Sequence, residues 1–136
     1  MRFLPASRMS NARLEQCLIS DGCVIHSGTR IERCVVGVRS RIGHDVNLRT
    51  SVMIGADRFE TDEERTENRK RGIPDFGVGD GSIIEQAILD KDCRIGRNVQ
   101  IANRRQVQSD EGPNYVIRDG IVVIPKAAVV PDGTVI

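Results

Sequence analysis

The chain has 136 residues, 20 Lys and Arg against 19 Asp and Glu, and a net charge of +1. That length is one domain's worth with a modest core, and so even a charge balance supplies no long-range field to gather nucleic acid or an anionic membrane. Aromatic residues make up 3% and Trp is absent, so the core has to be aliphatic, which suits thin, regularly stacked layers better than an aromatic-anchored sandwich.

At the N-terminus, Met1 is followed by Arg2, Phe3, Leu4 and Pro5 rather than by an apolar leader with a cleavage site, and no apolar run reaches the ~18 residues of a membrane span. A soluble, cytoplasmic chain is expected. From Leu14 onward the aliphatics recur at Ile19, Ile25, Ile31, Val36, Ile42, Leu48 and Met53, with spacings of 5, 6, 6, 5, 6, 6 and 5. A period near six fits neither a helix nor a meander; three short faces per coil of 17 residues account for it. The spacing resumes at Ile84, Leu89, Ile95 and Ile101, and a last pair of hexads runs from Ile124 through Val130 to Ile136.

Four positions past the aliphatics, smaller residues form columns: Cys23, Ser40 and Cys93 on one face, and Thr29, Val46, Val99 and Thr134 on another. The short face repeats Cys17, Cys34, Ser51 and Ala87. The corners carry turn formers such as Ser20-Asp21-Gly22, Gly43-His44-Asp45, Gly79-Asp80-Gly81, Gly96-Arg97-Asn98 and Pro131-Asp132-Gly133. The fold expected is therefore all-β, a parallel β-helix of hexapeptide repeats over residues 10–136. Two insertions interrupt it. The first, near 55–77, contains the capping box Thr61-Asp62-Glu63-Glu64 and a charged stretch ending at Gly72, which predicts a short surface helix. The second, near 102–120, is polar, holds Gly112-Pro113-Asn114 and returns through Tyr115-Val116-Ile117.

The residues that could carry chemistry are few. The four cysteines form neither a Cys-x-x-Cys pair nor a zinc pattern; all fall in packing columns, and stacked Cys17 and Cys34 are expected to stay reduced. His26 and His44 lie at corners and read as exposed, without an orienting carboxylate or a third metal ligand. The acids Asp80, Asp90, Asp92 and Asp119 make no pair across a common substrate, and no glycine-rich phosphate loop is present. No catalytic, cofactor or metal residue is expected. Lys91 and Lys126 each adjoin a coil; on spacing alone they are solvated corner lysines, although an ammonium is a point charge suited to phosphate or carboxylate.

Several segments, FLPASRM (3–9), ISDGCVI (19–25), CVVGVRSRI (34–42), MIGADRFET (53–61), AILDKDCRIGRNVQI (87–101) and IRDGIVVIPKAAVVPDGTVI (117–136), together resemble the C-terminal domain of ADP-glucose pyrophosphorylase, or glucose-1-phosphate adenylyltransferase, most closely in its cyanobacterial and plant branch. The resemblance implies a left-handed coil and a role in regulation and oligomerisation. In that family the domain packs on a nucleotidyltransferase domain, contributes to a tetramer and helps bind an activator, 3-phosphoglycerate in this branch. Lys91 in Asp90-Lys91-Asp92-Cys93-Arg94-Ile95-Gly96 and Lys126 in Gly120-Ile121-Val122-Val123-Ile124-Pro125-Lys126 match the family's activator-binding lysines. Asn103-Arg104-Arg105-Gln106-Val107 and Pro125 depart from the family's usual residues.

Residues 1–9 resemble the segment that leads in from a catalytic domain, and nothing in the chain corresponds to that domain. Mg2+ and ATP, which the family uses there, are therefore not expected in this chain, and it is expected to make no ADP-glucose alone. A cytoplasmic setting is implied, or a plastid for a plant-type source, although no transit peptide is seen. Two rivals remain: a hexapeptide acyltransferase or carbonic anhydrase-like trimer, and a purely structural interaction module.

Overall fold

Short strands at the predicted spacing wind the chain into a three-faced parallel β-helix, seen in a computed structural model that describes residues 6–136. Phe3, Leu4 and Pro5 of the lead-in segment lie outside the described residues. The first face holds β1 (Arg8–Met9), β4 (Val24–Ile25), β7 (Arg41–Ile42), β10 (Gly77–Val78), β13 (Arg94–Ile95) and β18 (Val129–Val130). The second face stacks β2 (Arg13–Glu15), β5 (Arg30–Glu32), β8 (Asn47–Arg49), β11 (Ile83–Glu85) and β14 (Gln100–Ile101). The third stacks β3 (Leu18–Ile19), β6 (Val35–Val36), β9 (Val52–Met53), β12 (Ala87–Leu89) and β17 (Ile121–Ile124).

The register confirms the 17-residue coil. Leu14 pairs with Ile31 and Ile31 with Leu48; across the first insertion Leu48 pairs with Ile84, 36 residues on. On the third face Leu89 pairs with Ile124, 35 residues on, across the second insertion. Because side chains alternate along a strand, one aliphatic per face points inward, and Ile31, Leu48, Ile84 and Ile101 form a fully buried column. Burying each such side chain contributes roughly 1.5–3 kcal/mol. Leu14 and Ile19, expected inside, are incompletely buried, Leu14 being 40% exposed, because among the described residues their coil has a packed neighbour on one side.

Each corner needs a residue with positive φ, and these too recur at coil spacing. Gln16, Arg33, Thr50, Gln86 and Asn103 hold φ between 46° and 52° at the corner from the second face to the third. Buried hydroxyls fasten the corners: Thr29 Oγ1 donates to Gly43 O at 2.7 Å and accepts from Val46 N, and Ser82 repeats the arrangement with Gly96 O and Val99 N.

The first insertion carries α1 (Asp62–Arg71), begun by the predicted capping box and ended at Gly72 in the left-handed region (φ 68°). No residue of α1 is buried. What fixes the insertion to the first face is Glu60, whose side chain is 4% exposed and pairs with Arg94 at 3.0 Å. Asn68 Nδ2 and the Phe76 N–H also donate to this carboxylate, and the Arg94 guanidinium lies 4.1 Å from the Phe76 ring centroid.

The second insertion is more ordered than its polar sequence foretells. β15 (Ser109–Glu111) and β16 (Val116–Arg118) run antiparallel and extend the third face beyond β17. The turn that folds β16 back along β17 is Asp119-Gly120, with φ 52° and 78°, the geometry that favours Asp-Gly between two antiparallel strands. Pro125 fits here because the ladder bond at this rung is donated by its coil neighbour: Asp90 N–H donates to Ile124 O, so the missing N–H at Pro125 breaks no ladder bond among the described residues.

Candidate functional site

The first insertion leaves from the corner between the third and first faces, and that corner is where Lys91 and Lys126 meet. Leu89 and Ile124 are partners in register, so two residues further on Lys91 and Lys126 occupy the same position on adjacent coils. The Ala127 N–H donates to Lys91 O at 2.9 Å, which locks the two turns together. Asp92 and Ala127 follow with φ 59° and 61°, swinging the chain into the first face and leaving both lysines at the outer edge.

The two ammonium groups are not equivalent. Lys91 Nζ is paired with Asp57 Oδ1 at 3.0 Å, both side chains about half exposed. The bond from Lys91 holds the Asp57 carboxyl below its ordinary pKa, with further help from the charges of Lys91, Lys126 and Arg39. Asp57 is itself positioned by its backbone, whose N–H donates to Asp92 Oδ1 at 3.0 Å. Arg39 is held to Ala56 O at 3.1 Å. The corner thus presents Lys91, Lys126 and Arg39 around the exposed Asp57, with Asp90 and Asp92 in the same turn each accepting a backbone N–H, and an anion can enter by exchange for Asp57.

A family model, the GLGC left-handed parallel beta-helix domain, matches residues 2–135. The chain belongs to this family. It is the C-terminal β-helix domain of the ADP-glucose pyrophosphorylase family, and the coil is left-handed.

Elsewhere on this β-helix domain the other candidates from the sequence take structural places. All four cysteines are free, and Cys23, Cys34 and Cys93 are buried. Cys17 and Cys34 bond backbone carbonyls rather than each other, Ile31 O at 3.1 Å and Glu32 O at 3.0 Å. Burial, with Asp90 and Asp92 adding to it, pushes the Cys93 thiol up to about 12; burial also raises Cys23 and Cys34. These are packing residues without a nucleophile's electrostatics.

His44 is exposed at its corner as expected, whereas His26 is partly buried. Their rings stack with centroids 4.5 Å apart, and Ser27 Oγ lies 3.2 Å from His44 Nδ1. Burial first, then Arg41 and His44, lower the His26 pKa. No carboxylate is hydrogen-bonded to either ring among the described residues, so neither has the orienting partner a general base uses. No group of three His, Cys, Asp or Glu among the described residues could hold a metal ion. No helix among the described residues is long and apolar enough to cross a membrane.

Sequence reasoning missed one feature of the domain's exterior. On the third face the outward positions Leu18, Val35, Val52, Ile88 and Val123 are in register, and Leu18 is 70% exposed. The signal was present as an aliphatic doublet in every coil of this face, whereas on the other faces the doublet is confined to Val24-Ile25, Ile83-Ile84 and Val129-Val130.

Proposed function

We propose that this domain is the regulatory and oligomerising part of a glucose-1-phosphate adenylyltransferase, the enzyme that converts ATP and glucose 1-phosphate to ADP-glucose and diphosphate for glycogen or starch synthesis. The observation that carries the reading is the stacking of Lys91 and Lys126 at one corner of adjacent coils. Two positive charges on adjacent turns suit a three-carbon acid bearing a phosphate and a carboxylate, such as 3-phosphoglycerate. The activator takes Lys126 directly and competes with Asp57 for Lys91.

The aliphatic column on the third face supports assembly. An exposed ordered stripe of Leu, Val and Ile is poorly used by a monomer, and it offers a docking surface for the catalytic nucleotidyltransferase domain or a sister subunit of a tetramer. Catalysis, with its Mg2+ and ATP, belongs to that partner, so the domain alone forms no ADP-glucose. The setting is the cytoplasm, or a plastid in a plant-type source.

Equilibrium dialysis of radiolabelled 3-phosphoglycerate against the adenylyltransferase assembled with this domain tests the site. Lys126→Glu is expected to weaken binding by roughly tenfold or more, which is about 1.4 kcal/mol. Unchanged affinity would remove Lys126 from the site. The acyltransferase and carbonic anhydrase alternatives require His26 to be catalytic; the absence of an orienting carboxylate at either ring among the described residues gives them no support.

A further inference from the structure

A groove of about 570 Å³ runs along the corner between the first and second faces, bounded on one side by the turn that follows α1. Its floor is bare backbone. Gly43, Gly79 and Gly96 stack on successive coils through Gly43 N–H to Val78 O and Gly79 N–H to Ile95 O, and a Cβ on Gly79 would lie 2.4 Å from Gly96 O. Glycine is required at Gly79 because the next coil's backbone fills the place a Cβ would take, and the floor of the groove is main chain as a result.

The walls carry Arg41, Arg69 and Arg97 together with the stacked His26 and His44. Three carboxylates are also present, but each already spends an oxygen within the fold. Asp80 Oδ1 accepts from His44 N and Asp132 Oδ1 from Arg97 N, both at 2.8 Å, and Asp75 Oδ1 accepts from Asn68 Nδ2 at 3.1 Å.

Of the three arginines Arg69 and Arg97 are exposed and Arg41 is partly buried. It lies on the same face as Arg94, with Gly77 between them in the ladder. Arg94 is filled by Glu60, Pro74 O and the Phe76 ring. Arg41 makes no ion pair and no side-chain hydrogen bond among the described residues, although it is half-buried. Burial, with the charge of Arg65 adding to it and those of Asp75 and Glu60 opposing, lowers its pKa from the usual arginine value. No buried side-chain polar atom among the described residues lacks a partner, so the Arg41 nitrogens reach solvent, and a planar pair of anionic oxygens can take the place of that water in the fork.

We propose that this groove binds a small oxyanion, a phosphate monoester in particular, with Arg41 as its two-pronged anchor and His26 as an N–H donor beside it. Arg69 and Arg97 balance the second negative charge. The carboxylate oxygens left free on Asp80 and Asp132 accept from hydroxyls on the ester's organic part. The site is separate from the lysine corner and does not depend on it.

His26 and His44 are the chain's two histidines, so their ring resonances report on this groove alone. Titration of the chain with inorganic phosphate and with glycerol 3-phosphate, at constant ionic strength in chloride, is followed by proton–carbon NMR of those rings. Saturable shifts are expected with both, tighter for the ester; tighter binding of inorganic phosphate would overturn the monoester assignment. Arg41→Gln is expected to weaken binding at least tenfold, and Arg41→Lys, which keeps the charge without the fork, to weaken it less. Shifts no larger than those in chloride, in the wild-type chain itself, would overturn the proposal whatever the variants do. A double Lys91→Ala, Lys126→Ala variant should bind as wild type; loss of the histidine shifts there would place the anion at the lysine corner instead and also overturn it.

Discussion

Lys91 and Lys126 show how a residue's meaning depends on coil register. In sequence they are 35 apart and separated by an insertion, and only the pairing of Leu89 with Ile124 makes them neighbours. The pairing of Lys91 with Asp57 had no sequence signal, since Asp57 belongs to an insertion whose path spacing does not predict. The cysteines, by contrast, were legible, because their column positions dictate burial. With burial raising its thiol to about 12, Cys93 is expected to resist iodoacetamide at pH 8 in the native chain and to react once urea is added; mass spectrometry of the labelled peptides reads this. Glu60 makes the opposite prediction about charge. Its burial alone would raise the pKa, but the Phe76 N–H, Asn68 and Arg94 together hold it below the ordinary 4.5. A carboxyl lowered in the folded state stabilises above its unfolded pKa, and that contribution disappears as pH falls through the folded value. Urea midpoints at pH 6, 4.5 and 3.5 should therefore show wild type well above Glu60→Gln at pH 6 and the gap closing at pH 3.5.

At the scale of elements, α1 was readable because a capping box is a local device. Thr61 Oγ1 accepts from Glu64 N at 3.1 Å, and Glu64 Oε1 accepts from Thr61 N at 3.3 Å. An exposed ten-residue helix with no buried side chain depends on such ends, so Thr61→Ala should cost about 1 kcal/mol of local stability. Amide exchange at Glu64 measures it: protection should fall roughly fivefold while core amides are unchanged. The β15–β16 extension was not anticipated, although Asp119-Gly120 between two strands is itself a hairpin signal. Its strand Ser109–Glu111 is wholly exposed and polar, and such a segment shows none of the alternation by which strands are recognised. The groove around Arg41 was invisible for a different reason: its walls come from the turn after α1 and from residues of several coils.

The whole molecule is a stack in which each coil contacts its neighbours, so stability is close to a sum of coil and interface terms. Its period could be read directly from aliphatic spacing, whereas handedness could not, since parallel crossovers are ordinarily right-handed; left-handedness rests on the family. Ile84 is fully buried at the first coil after the α1 insertion, between Leu48 and Ile101. Ile84→Ala should destabilise by roughly 2–5 kcal/mol, read as a lower urea midpoint, because the coils above and below cannot close the gap. The proposed regulatory role also belongs to the whole molecule, since it joins the lysine corner to the exposed aliphatic column of the third face. The activation ratio tests it most directly: the rate of ADP-glucose formation with saturating 3-phosphoglycerate divided by the rate without it, for the adenylyltransferase carrying this domain. In a Lys91→Glu, Lys126→Glu double variant the ratio is predicted to fall close to one with the unactivated rate preserved, and a ratio equal to that of the wild type would contradict the account.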